Sequence, residues 1–316
     1  MTFLSNLAHT IRPRPSAPSW MGVTTDSARI SAAIVHRAGG TKPRLSAFES
    51  FDGEQAFEAL TSWRRKHGSR SMRTNLLLSP GDYQILPIEA PEVAPPERAL
   101  ATRWRIKDMI DFPAEEACVD CVLIPAAEGS VRAQQALAVV SRRSTISSWM
   151  RRSDAAGTTL AAIDIPELAV RNLAALVPTE TTCALLHMGL TRTTLVIVWK
   201  GELCNSRRFD LHAHQILAAS PAEREQLIER LGLDVQRTAD AFERQFQAAA
   251  MGGLWVTEEH ASLSIAEELA RFVALQVKPF RLREHLDFDS SAPLIEPERQ
   301  IDFVMAIGAA LRETPS

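Results

Sequence analysis

The chain is poor in the residues that bring crosslinks or obvious chemistry with them. It has four cysteines in 316 residues, too few for a disulfide framework, so a reducing compartment, the cytoplasm, is expected. Cys118 and Cys121 form a C-x-x-C, but residues three apart on a strand point to opposite faces. No second pair stands nearby to complete a zinc site, so structural cysteines are expected there. No stretch approaches the roughly 18 consecutive apolar residues that a spanning helix needs. No charged-then-apolar leader opens the chain. Strong charge is missing too: 35 Lys and Arg against 38 Asp and Glu leave a net charge of −3, which gathers no nucleic acid. Arg142-Arg143 and Arg151-Arg152 lack interleaved aromatics and read as solvated pairs. The G-x-S-x-G, Walker A and H-E-x-x-H motifs are all absent. His212 and His214 suit one strand face, but no third ligand follows at metal-site spacing, and a solvated pair is expected.

What remains is ordinary globular material, 46% hydrophobic and 23% charged, long enough for one large or two medium domains. Residues 1–19 read as a short apolar-faced segment (Phe3, Leu4, Leu7, Ile11) and a proline-marked linker. Trp20–Val23, Ala28–Val35 and Arg44–Phe51 read as a three-strand meander. A helix Gln55–Lys66 and a strand Asn75–Leu78 follow. Further on, Glu116–Ile124, Ala136–Val140 and Thr159–Ile165 read as strands. Thr145–Ala155 and Glu167–Leu176 read as helices, the second opened by Pro166. The meander then returns as Cys183–Met188, Thr193–Trp199 and Leu203–Phe209. Helices Pro221–Leu231 and Val235–Phe246, a strand Gly253–Thr257, a helix Ala266–Leu275, a loop Arg281–Pro297 and a closing helix Ile301–Leu311 complete the pattern. Two copies of one α/β unit are expected.

The stretch between the first unit's strands is organised differently. Ser79-Pro80-Gly81-Asp82-Tyr83 is a turn cluster, Gln84–Glu89 a short strand, and Pro96 suits the first turn of a helix Glu97–Phe112. Leu100, Trp104, Met109 and Phe112 mark its apolar stripe, with Ala101 and Ile106 between and Arg98, Arg103, Lys107 and Asp111 elsewhere. Pro113 ends it.

Three pieces of this region, SPGDYQ (79–84), IEAPEV (88–93) and RWRIKDMIDFP (103–113), together with AIDIPELAVRNLAAL (162–176), resemble the PilM/MshI-like family of pilus-biogenesis proteins. The resemblance extends from Trp20 to Arg312 and implies an α/β, actin-like fold, a duplicated RNase H-like pair of lobes with an inserted α+β subdomain in the first. On that basis residues 20–178 form the first lobe, with the insertion at about 82–159, and 179–316 the second. Ala306–Ala310 resembles the final helix of actin-like proteins.

In nucleotide-binding members of that fold, an Asp-x-Gly in each lobe's first hairpin and a late Gly-Gly hold ATP and its metal. Aligned by the meanders, those positions fall on Thr24 and Asp26, on His187 and Gly189, and on Glu258 and Glu259. Only Gly189 is kept. Asp26 could take over the metal role, yet the substitutions together predict a relic cleft that binds ATP weakly or not at all, so no cofactor and no ATPase activity are expected. The resemblance implies a non-catalytic cytoplasmic scaffold, peripheral to the inner membrane, for a type IV pilus of the mannose-sensitive haemagglutinin (MSHA) type. Its partner would be the cytoplasmic tail of a PilN-like single-span inner-membrane protein. The expected anchors are Trp104, Ile106, Met109 and Phe112, rimmed by Arg105 and Asp108. An actin-like ATPase or sugar-kinase-like enzyme, and a type II secretion scaffold, stand as alternatives.

Overall fold

The computed structural model describes residues 19–26, 29–37, 42–68, 72–126, 133–178, 181–246, 249–257, 263–289, 301 and 303–312. The segment expected at residues 1–18 lies outside them.

Each meander forms as expected. In the first half β1 (Ser19–Asp26), β2 (Arg29–His36) and β3 (Arg44–Asp52) pair antiparallel, while β4 (Arg73–Leu77) runs parallel to β1. Helix α1 (Ala56–His67) connects β3 to β4 and carries Arg64, Arg65 and Lys66 in its last turn, cations that suit a helix C-terminus. Beyond β4 the chain leaves the sheet. It builds β5 (Tyr83–Glu89), α2 (Arg98–Arg105), β6 (Ala117–Leu123) and β7 (Gln135–Arg142). These strands form a separate three-stranded sheet in the order β5-β7-β6. Helix α3 (Arg143–Ala155) then returns to the flank of α1, and β8 (Leu160–Asp164) joins β4. Helix α4 (Pro166–Ala174) follows, with Pro166 in its first turn.

The second half repeats this plan without the insertion. β9 (Thr182–Met188), β10 (Thr193–Trp199) and β11 (Glu202–Phe209) are a meander, and β12 (Met251–Thr257) and β13 (Val277–Phe280) add in parallel. The sheet orders are β14-β3-β2-β1-β4-β8 and β11-β10-β9-β12-β13, where β14 (Asp287–Phe288) is a two-residue edge. Apart from that edge, both sheets place their own strands 3-2-1-4-5.

Several expectations need correction. The two helices expected at 221–231 and 235–246 are one, α6 (Pro221–Gln245), with Gly232 in its middle. Glycine costs about 1 kcal/mol there relative to alanine. Its place is explained by packing: a Cβ on Gly232 would stand 2.6 Å from the Cβ of Phe272. The helix expected at 266–275 is only α7 (Ile265–Leu269), and the strand β13 after it was not anticipated. Pro279 sits in that strand where proline is tolerated, on a sheet edge. The expected loop 281–297 contains α8 (Leu282–His285) and β14 within its described part. His212 and His214 lie at the start of α5 (Ala213–Ala218), not on a strand. Helix α2 stops at Arg105, so the stripe expected through Phe112 continues in turns.

The closing helices cross over. Helix α4, which ends the first half, packs on β9, β10 and β11 of the second. Helix α9 (Val304–Ala310), which ends the second half, packs on β1, β2 and β4 of the first and against α4. The contact is close enough to require glycine. A Cβ on Gly308 would stand 2.5 Å from the Ala169 carbonyl oxygen, and one on Gly22 would overlap the Ala306 carbonyl. Carbonyls at the end of α9, which lack helical partners, are met by side chains. Asn75 Nδ2 donates to Ala309 O at 2.9 Å and Asn172 Nδ2 to Gly308 O at 2.9 Å. Arg37 Nη1 donates to Leu311 O at 2.8 Å. Arg312 bonds the buried Asp164.

A second junction ties the insertion's sheet, helix α4 and the second half's sheet together. Glu167, at the start of α4, is 1% exposed. Its carboxylate accepts from Tyr83 Oη at 2.5 Å and from Arg208 Nε at 2.5 Å, while the Arg208 guanidinium lies 4.7 Å from the Tyr83 ring centroid. Burial and then the Glu167 charge push the Tyr83 phenol far up, so it stays a donor. Tyr83 belongs to SPGDYQ and Glu167 to AIDIPEL. The two segments that carried the resemblance meet in space.

Candidate functional site

Three surfaces bear on function. The first is the cleft between the lobes. Thr24 pairs with Ser31 across β1–β2, and His187 with Thr194 across β9–β10. All four line one cavity of about 380 Å³, together with Gly189 and Arg192. Thr24, His187 and Gly189 thus line the same cavity. Asp26 ends β1 opposite Arg29 in the ladder, but its side chain lies outside what the structure describes. Glu258 and Glu259 also lie outside the described residues.

Two of the groups at the expected nucleotide positions are engaged within the protein itself. His187 is buried, with Nδ1 3.1 Å from Thr257 Oγ1, and that oxygen accepts the Met188 N–H at 3.3 Å. The threonine hydroxyl proton is thus free to point at Nδ1. Burial pulls the imidazole pKa down from 6.5 to about 4, so the ring brings no charge at neutral pH. Gly189 donates its N–H to Arg192 O at 2.9 Å, and a Cβ there would stand 2.8 Å from the same oxygen. Closure of its own turn thus accounts for the kept glycine, and its amide is already used. Among the described residues, no group of three or more His, Cys, Asp or Glu is placed to hold a metal ion.

The neutral histidine has a measurable consequence. Between about pH 6.5 and 4 the unfolded chain binds a proton that folded His187 refuses, so stability falls as the pH falls through that window. Unfolding in urea at pH 7 and pH 4.5 should show the wild type losing about 2.5 kcal/mol more than His187→Gln. Parallel pH dependence in the two proteins would contradict the assignment.

The second surface is a groove of about 990 Å³ between α1 and α3. Phe57 and Trp149 form its apolar floor, their ring centroids 6.5 Å apart, and the Arg152 guanidinium lies 5.1 Å from the Trp149 ring. Along α1 its wall passes from Glu54 and Glu58, through Thr61 and Ser62, to Arg65. Glu54 and Glu58 stand with Arg29 at the end towards the β1–β2 turn, and Arg65 and Arg152 lie towards the other. Sequence reading missed this groove, because its walls lie about ninety positions apart and each alone is an ordinary amphipathic helix.

The third surface is the outer side of α2 and its following turns, where the expected anchors divide. Trp104 and Met109 are 52% and 48% exposed, and Leu100, four residues before Trp104, is 53% exposed. Ile106 is fully buried against Ile88, Ala90, Ala117 and Val140, so it packs the insertion's core and is not available to a partner. Phe112 is half-buried in the same cluster and covered by the Arg142 guanidinium 4.2 Å from its ring. Arg105 donates to Glu89 O at 2.8 Å, and Asp108 is exposed.

No family model and no curated protein matches the sequence. Solved structures do match the fold. The chain is similar to a structure of the PilM-PilN type IV pilus biogenesis complex, with a TM-score of 0.69 and 16% identity over 95% of this chain and 98% of that one. It is also similar to the cytoplasmic domain of EpsL, an inner membrane component of the type II secretion system of Vibrio cholerae. There the TM-score is 0.50 and the identity 13%, over 94% of this chain and 96% of that one. The fold is two-lobed and actin-like. No helix among the described residues is long and apolar enough to cross a membrane.

Proposed function

We propose that this chain is a non-catalytic actin-like scaffold for the assembly of a type IV, MSHA-like pilus at the inner membrane. Its task is to hold the cytoplasmic tail of a PilN-like single-span protein on the first lobe. The observation that carries this reading is the α1–α3 groove, open, floored by aromatic rings and larger than the interlobe cavity. A short peptide is its natural occupant: apolar side chains meet Phe57 and Trp149, and an acidic end of the peptide meets Arg65 and Arg152. The fold likeness to a PilM-PilN complex supports the class of partner. A second docking surface has an observation of its own. Of seven exposed large hydrophobics among the described residues, Val93, Leu100, Trp104 and Met109 belong to the stretch around α2.

Peptide capture separates these surfaces. Ser62→Trp fills the groove from an exposed position, leaving the packed floor intact. It should weaken binding of a PilN-like N-terminal peptide by about 30-fold or more, the size of a hot-spot loss near 2 kcal/mol, with melting unchanged. Trp104→Ala and Met109→Ala should likewise leave melting unchanged, since both side chains are half in water. Loss of capture in those variants and not in Ser62→Trp would move the docking site to α2. Normal capture by all three would end the tail-docking reading.

The internal engagement of His187 and Gly189 supports reading the chain as a non-enzyme. Millimolar Mg-ATP should leave the melting temperature where it is. A ligand at 100 times its dissociation constant would add about 2.7 kcal/mol, and an upward shift abolished by Asp26→Ala would restore the nucleotide-binding alternative.

A further inference from the structure

The end of the first lobe that faces away from the cleft gathers positive charge. Ser19 and Arg73 open the parallel strands β1 and β4 there, and His36 closes β2. Both groove helices finish at the same end. Gly68 caps α1 close to the Met72 side chain just before β4, and Arg64 Nη1 reaches the carbonyl of Gly157 beyond α3 at 3.1 Å. Thr74 N–H donates to Thr159 O at 3.0 Å, where β8 begins. Arg65, Lys66, Arg73, Arg151 and Arg152 are all exposed here, in a chain whose net charge is −3. Asp154 is the acid that the end of α3 sets among them. Beside the arginines, Met150 is an apolar side chain 51% exposed.

From this we infer that the basic end of the first lobe is a surface for anionic lipid headgroups, which lays the lobe on a membrane with the Arg65–Arg152 end of the groove towards it. Clustered cations with one exposed apolar side chain suit a lipid interface, where charge attracts at a distance and methionine enters the headgroup layer. The groove's cationic pole, Arg65 and Arg152, belongs to this same end. A tail leaving the bilayer would therefore meet the groove without crossing the protein. The orientation towards a tail rests on the docking reading above; lipid contact itself does not.

Vesicle sedimentation with the full chain tests it. Vesicles of phosphatidylcholine with about one third phosphatidylglycerol should bind the protein at low salt, pure phosphatidylcholine should not, and binding should vanish near 0.5 M NaCl. The variant Arg65→Glu/Lys66→Glu/Arg151→Glu changes exposed side chains only. It should keep the wild-type melting temperature and lose roughly 100-fold in partitioning, at about fivefold per basic residue near the surface. Arg230→Glu/Arg237→Glu, on α6 of the second lobe, should bind as wild type does. Equal binding by the two variants, or no preference for anionic vesicles, overturns the inference. So does tighter binding to soluble polyglutamate than to vesicles, which would assign the surface to an acidic protein. Sedimentation only when a PilN-like tail peptide is tethered to the vesicle would sink the lipid surface and leave tail docking intact.

Discussion

Replacing Gly22 with alanine is expected to cost about 3 kcal/mol or more of folding stability, from a single methyl group. The methyl would overlap the Ala306 carbonyl and stand 2.5 Å from the backbone nitrogen of Ala310. Both obstacles are backbone, so no side chain can rotate away, and α9 must lift from β1. Helix α9 is also held by Asn75, Asn172 and Arg37 through its terminal carbonyls, so lifting it also strains those bonds. Overpacking ordinarily costs about 1–3 kcal/mol, and a rigid backbone obstacle lies at or beyond the top of that range. Equilibrium unfolding in urea measures it. A loss under about 1 kcal/mol would mean that α9 does not press on β1 as described. Gly81→Ala, where no atom lies within 4 Å of the added Cβ, is the matched control.

Glu167→Gln is expected to cost about 3 kcal/mol by a different route. The amide keeps the shape of the carboxylate but removes the charge that Arg208 and Tyr83 converge on. Burial works against the Arg208 charge, and the Glu167 hydrogen bond and field more than offset it, holding the guanidinium pKa above its ordinary value. Breaking a buried pair from one side costs about 3–5 kcal/mol. Arg208 keeps 27% of its side chain in water, which places the loss at the low end. The double variant Glu167→Gln/Arg208→Met should lose less than the sum of the two single changes, since each single change strands the other partner. Strict additivity in that cycle would show that the two side chains do not act as a pair.

Much of the fold is legible in the sequence because it is local. Short apolar or alternating runs of strand length mark both meanders, and Pro166 marks the start of α4. Legibility fails where distant parts decide the outcome. Gly232 looks like a helix break until Phe272 is seen against it. The stretch 277–280 is too short to read as a strand without β12 beside it. The stripe from Leu100 to Phe112 has helical spacing, yet Ile106 is taken inward by the insertion's own sheet and the helix ends one residue earlier. The cleft was partly readable: Thr24, His187 and Gly189 do converge. The hydrogen bonds that occupy His187 and Gly189 come from Thr257 and Arg192, and pattern alone does not announce them. The tie between Tyr83 and Glu167 lay unread inside the two best-marked segments, since spacing along a chain says nothing about which phenol meets which carboxylate.

The crossed closing helices also set an order in time. The ribosome delivers the chain from the N-terminus, and the face of the β1–β4 sheet that α9 covers is complete long before α9 exists. At about 5–20 residues per second, that apolar face waits roughly ten seconds or more for its lid. The first lobe therefore cannot finish folding during its own synthesis, and α9, made long afterwards, completes the first sheet. A fragment that stops after α4 should expose the faces of β1, β2 and β4 and the free side of α4 together, and depend on chaperones to stay in solution. Supplying residues 179–316 as a separate polypeptide should restore both lobes at once, because each carries the other's final helix.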